Sequence, residues 1–127
     1  MPRSIIHTTE APAAIGPYAQ AVRVGETVYL SGQIPLDPHS GQMVEGDIGA
    51  QARQVFANLE AVARAAGGSL QQAVRIGIFL TDLADFAAVN QVMEAALHPP
   101  YPARATVGVA ALPRGARVEA DAILVLD

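Results

Sequence analysis

The chain has 127 residues, room for one domain of ordinary size, and is 51% hydrophobic against 16% charged, which excludes a disordered or purely solvating role. It has no Cys, and all eight cations are Arg, so disulfides, thiolate metal sites, Cys or Lys nucleophiles and a Walker-type phosphate loop are excluded. A net charge of −4 argues against duplex nucleic acid as the main partner, and three scattered histidines (His7, His39, His98) make a poor metal site.

The opening MPRSIIHTTEAPAA lacks the apolar core of a signal peptide. No later run approaches the roughly 18 apolar residues of a membrane span. A soluble cytoplasmic protein is expected. Residues 19–24 alternate around Val22 and Val24 and read as a strand, followed by a Gly25-Glu26 turn and a second strand over 27–32, rich in β formers. LDPHSGQM is a loop in which Pro38 and Gly41 supply turn geometry. A helix is predicted over 47–66, because Ile48, Ala52, Val55, Leu59, Val62 and Ala66 recur at spacings of three and four. Asp47 is its expected N-cap and Gly67-Gly68 its stop.

Residues 73–80 alternate and predict a strand. Asp82 is expected to cap a second helix, with Asp85 in the capping-box position, Phe86, Val89, Met93 and Ala96 as the buried stripe, and Pro99-Pro100 as the end. Residues 103–110 and 117–126 are the last two strands, joined by the turn Leu112-Pro113-Arg114-Gly115. In the final strand Val118, Ala120, Ala122, Leu124 and Leu126 share one face, with Arg117, Glu119, Asp121, Ile123 and Val125 on the other. The order ββ-α-β-α-ββ predicts an α+β single domain over residues 1–127, a mixed sheet with two helices packed on one face. The other face would lie bare, and further copies of the chain are the simplest cover.

Few residues carry chemistry by type and position. Glu119, mid-strand, is either a solvated or interface partner for an Arg or a carboxylate placed for catalysis. Arg104 stands at the mouth of a strand and has the planar fork that matches a carboxylate. If its strand neighbours that of Glu119, anion anchor and base meet in one cleft. Tyr18, after Gly16-Pro17, is either a packed aromatic or a site residue. Ser31 can present a hydroxyl, but no GxSxG elbow makes it a nucleophile. Asn90 reads from pattern as a solvated helix position.

The segments IGPYAQAV (residues 15–22), YLSGQIPLDPHSGQ (29–42), QARQVFANLEAV (51–62), PARATV (102–107) and RVEADAI (117–123) together resemble the reactive-intermediate deaminase (Rid, YjgF-like) family, earlier labelled L-PSP endoribonuclease. The resemblance runs in the same order over nearly the whole chain. It implies a chorismate-mutase-like α+β fold in a barrel-like homotrimer with clefts between subunits, and hydrolysis of 2-imino acids such as 2-iminobutanoate and 2-iminopropanoate to 2-oxo acids and ammonia, with no metal or cofactor. It further implies that Arg104 holds the substrate carboxylate, that Glu119 activates water, and that Tyr18, Ser31, Gly32, Asn90 and Thr106 line the cleft. Thr106 stands where many members have Cys, Gly108 where a Glu is common, and the stretch from Asn90 to Arg104 is a few residues shorter than usual. Two other readings compete: a binding module that uses the same cleft for small carboxylic acids, and a ribonuclease or translation inhibitor. The acidic balance, the lack of Lys and the lack of a His pair count against the latter.

Overall fold

The structure, a computed structural model, describes residues 2–127. Its elements are β1 (Arg3–Ile6), β2 (Ala21–Val24), β3 (Thr27–Gln33), α1 (Ile48–Ala65), β4 (Ala73–Leu80), α2 (Phe86–Ala96), β5 (Ala103–Gly108) and β6 (Val118–Val125). They form one six-stranded open sheet in the order β1-β2-β3-β6-β4-β5, antiparallel throughout except for β4 beside β5. No helix among the described residues is long and apolar enough to cross a membrane.

The α+β layer is as the periodicity requires. Val55, Leu59 and Val62 of α1 and Val89 and Met93 of α2 pack on Val28, Leu30, Ile76, Ile78, Leu80, Val118 and Leu124, in one buried cluster. Ala120 and Ala122 lie in β6, the strand that α1 packs on most closely, and their small side chains leave room for the helix to approach. Asp47 caps α1 by accepting a 2.9 Å hydrogen bond from the Ala50 N–H, and Gly67 ends the helix with φ +94°. On the opposite sheet face, pairing aligns Ile5, Val22, Tyr29, Ile123, Arg75 and Ala103 in one row across all six strands. Tyr29 is 51% exposed there, and Ile5, Val107 and Val125 are exposed with it.

Four expectations need correction. An additional strand, β1, precedes the two read at the start, so the order is βββ-α-β-α-ββ. Its four residues carry no alternation to read; pairing with β2 (Ile5 with Val22, Ile6 with Ala21) makes it a strand. Asp82 caps a short 3-10 turn, Leu83–Asp85, rather than α2, by accepting from the Ala84 N–H at 2.9 Å. Asp85 makes no side-chain cap bond and instead pairs with Arg117 at 3.2 Å, fastening the start of α2 to the entry of β6. Phe86, expected in the buried stripe, is 39% exposed because it lies at the sheet edge beneath Arg104. Beyond these four, the condition set for Arg104 and Glu119, that their strands be neighbours, is not met: β4 lies between β5 and β6.

Candidate active site

The strand order decides how the candidate residues are distributed. Arg104 pairs in register with Ile76, whose side chain is buried under the helices, so Arg104 projects from the helix side of the edge strand β5. Glu119 pairs with Phe79 and shares the open face with Asp121 and Ile123. The two residues therefore stand on opposite faces of the sheet, with β4 between them. One copy of the chain holds two half-sites, not one cleft.

The Arg104 half-site is built on α2. Phe86, Asn90 and Met93 recur at spacings of four and three and present one helix face to the guanidinium. Arg104 Nη1 donates to Asn90 Oδ1 at 2.5 Å and lies 3.7 Å from Met93 Sδ, while its guanidinium carbon sits 5.2 Å from the centre of the Phe86 ring. These contacts restrain the side chain and hold the fork beside a cavity of about 370 Å³ lined also by Glu94, Tyr101 and Pro102. Asn90, read from pattern as solvated, is thus a partner of Arg104. Thr106 lies two residues along the same face of β5, beside Ile78, and its Oγ1 is buried with no hydrogen-bond partner among the described residues.

The Glu119 half-site gathers Tyr18, Ser31, Gly32 and Glu119 around a cleft of about 510 Å³, with Gln20, Ile34, Leu36 and Arg114 in its walls. A Cβ at position 32 would collide with the Glu119 carboxylate, so glycine at the β3 bulge lets that side chain lie flat across the neighbouring strand. Asp121 does the same in the other direction, over Gly77 of β4. The Gly77 N–H donates to Asp121 Oδ1 at 3.2 Å, and Arg75 Nη1 stands 3.9 Å away. Burial, and then the nearby Asp121 charge, push the Glu119 pKa above the ordinary value of 4.5.

Ser31 donates its hydroxyl to the Ala19 carbonyl at 2.6 Å, and Tyr18, half-exposed, accepts from the Ile15 N–H at 3.4 Å. The segment from Thr8 to Pro12, which runs along the cleft's edge, is held by Gln20, a residue that periodicity gave no reason to single out. Gln20 is buried, donates to the carbonyls of Thr8 and Pro12, and accepts from the Thr8 N–H. Phe86 and Arg114 were likewise not identifiable as site residues, the first because it fits a core stripe and the second because it sits in a turn. Among the described residues no three His, Asp or Glu side chains converge as metal ligands. One half-site offers a restrained anion fork, the other a partly desolvated carboxylate.

Comparison with known proteins adds to this geometry. A family model described as Endoribonuclease L-PSP matches residues 8–126. A Myxococcus xanthus protein named Protein DfrA is 56% identical over 127 residues, covering 98% of this chain and 97% of that protein. The mouse 2-iminobutanoate/2-iminopropanoate deaminase is 49% identical over 123 residues, covering 97% and 90%. The crystal structure of RidA from the Antarctic bacterium Psychrobacter sp. PAMC 21119 superposes with a TM-score of 0.94 at 54% identity, covering 97% of this chain and 99% of that one. With its residues matched almost end to end and its fold superposed on a RidA structure, the chain belongs to the reactive-intermediate deaminase family, the family whose model bears the older description Endoribonuclease L-PSP.

Proposed function

We propose that the protein hydrolyses 2-imino acids, 2-iminobutanoate and 2-iminopropanoate among them, to 2-oxo acids and ammonia, in clefts that Arg104 of one subunit and Glu119 of its neighbour complete within a homotrimer. The observation that carries the reading is near-half identity over almost the whole length to a protein named as this deaminase, with an anion fork and a raised-pKa carboxylate both present. Two half-sites on opposite sheet faces cannot serve one small molecule within a single copy, and the exposed apolar residues Tyr29, Val107 and Val125 need cover. Assembly through the open face answers both requirements.

The chemistry follows from the groups. The guanidinium holds the substrate carboxylate through two parallel N–H donors, which fixes the C=N carbon against the neighbouring subunit's cleft. Glu119, ionised, takes a proton from a water as that water's oxygen bonds to the electrophilic carbon, giving a carbinolamine. The same carboxyl returns that proton to nitrogen, the C–N bond breaks as the hydroxyl gives its own proton back to the Glu119 carboxylate, the carbonyl forms, and the departing ammonia carries that last proton away. One imine and one water thus yield one 2-oxo acid and one ammonia. Tyr18, Ser31, Gly32, Asn90 and Thr106 shape the cleft around these atoms. Free imines are short-lived in water, so the protein acts in the compartment that makes them, which we take to be the cytoplasm.

The test is release of ammonia and 2-oxobutanoate from enzymatically generated 2-iminobutanoate, above the spontaneous rate. Acceleration that Arg104→Ala abolishes is expected. Retention of 2-oxobutanoate binding without acceleration would favour a binding module instead. RNA cleavage, the older family label, has no local support, because none of the three histidines lines either half-site.

A further inference from the structure

Arg114 is the one non-glycine residue with a positive φ among the described residues, at φ 58° and ψ 25°. An L side chain there crowds its own backbone, and Gly or Asn occupies that region more easily. The turn does not need an arginine for its own closure: the Gly115 N–H donates to the Leu112 carbonyl at 3.3 Å and the Ala116 N–H to the Pro113 carbonyl at 3.1 Å.

What Arg114 adds lies far away in sequence. Its Nη1 donates to the carbonyl of Gly41 at 3.0 Å, across 73 residues. Gly41 sits at the tip of a loop that is also closed by itself. There Asp37 exchanges backbone bonds with Gln42 and Gly41, the Asp37 carboxylate accepts from the N–H groups of His39 and Ser40, and Leu36 bridges to Met43. Each segment would keep its shape without the other. Both flank the cleft that holds Glu119, the loop through Ile34 and Leu36 at its base and the turn through Pro113 and Arg114.

We propose that Arg114 is a positioning residue for the Glu119 half-site: its guanidinium clasps the Gly41 carbonyl and so sets the separation of the two walls between which the substrate must fit. A surface hydrogen bond is a weak reason to keep a backbone in the left-handed region for stability's sake. A fixed cleft width is a better one, because substrate fit is sensitive to small displacements. Arg114 acts through the wall and not on the reacting atoms, so its loss should weaken substrate binding more than the chemical step. The kinetic arm of this inference rests on the deaminase reading; the structural arm does not.

The test uses Arg114→Gly and Arg114→Asn, which accept the left-handed backbone but cannot make the clasp, and Arg114→Lys, which keeps a donor. For Gly and Asn, KM for 2-iminobutanoate should rise roughly tenfold while kcat stays within about twofold. Lys should recover part of the loss. Thermal midpoints should be no lower than wild type for Arg114→Gly, and the amides of residues 39–43 should exchange hydrogen faster. An unchanged KM, or a KM rise that appears only together with a lowered thermal midpoint or loss of assembly, overturns the proposal, as does unchanged hydrogen exchange. If wild-type protein fails to accelerate imine hydrolysis, the deaminase reading fails separately. The clasp is then decided by hydrogen exchange and by the affinity for 2-oxobutanoate, which should fall in Arg114→Gly and, if unchanged, counts against it.

Discussion

Glu119 is a half-buried carboxylate with a second negative charge near, and both conditions favour its protonated form. With the folded-state pKa raised above 4.5, its contribution to stability is fully present below that value and is lost as pH rises through the raised one. At pH 7 the ionised group is therefore a burden on the fold. Glu119→Gln should leave the protein as stable as wild type or more so by urea unfolding at pH 7, yet cost on the order of 10²-fold in kcat. The base must be ionised to work, so the acid limb of kcat/KM should fall above the range of an ordinary glutamate. Asp121→Asn should shift that limb to lower pH without abolishing turnover; if it abolishes turnover while Glu119→Gln does not, the working carboxylate is Asp121. At the other half-site, Arg104→Lys keeps the charge but loses the fork, the bond to Asn90 as now made and the stacking on Phe86. It should lose roughly tenfold or more in kcat/KM, and full activity would remove Arg104 from its assigned role.

At the scale of elements, the parts that declare themselves in the sequence are those whose burial repeats. The α1 stripe and the alternation in residues 73–80 give boundaries within a residue of those observed, because one face of each meets a continuous core. β1 is illegible for the converse reason: of Arg3–Ile6 only Ile6 is even partly buried against the core, and the strand's existence depends on a partner strand about fifteen residues away. Strand order is illegible too, since nothing in residues 103–126 says that β4 will stand between β5 and β6. The candidate site inherits both outcomes. Arg104 and Glu119 are recognisable as residues, but their placement on opposite faces appears only with the topology. Asn58 shows the same limit within a well-read helix. It is fully buried on the apolar side of α1, donating to the carbonyls of Leu36 at 3.0 Å and Ile34 at 3.4 Å and accepting from Gln54 at 2.8 Å. It ties the helix layer to the segment that floors the Glu119 cleft. Asn58→Ala should cost about 1–3 kcal/mol, seen as a lower urea midpoint at unchanged slope. An unchanged midpoint would mean that water replaces the amide without loss.

At the scale of the whole molecule, the sheet is covered on one side only, and Arg104 and Glu119 stand on its opposite faces. In the proposed homotrimer, closing the open face would also join each Arg104 to a neighbouring Glu119, so assembly and activity should be lost together on dilution. The most direct test mixes two inactive proteins. Arg104→Ala and Glu119→Gln subunits, dissociated and reassembled together in equal amounts, should recover about one quarter of wild-type imine hydrolysis, because random pairing puts an intact Arg104 beside an intact Glu119 in roughly one cleft in four. If both residues of a working site came from the same subunit, every site would carry one defect, and a mixed trimer with no recovered activity would contradict the account.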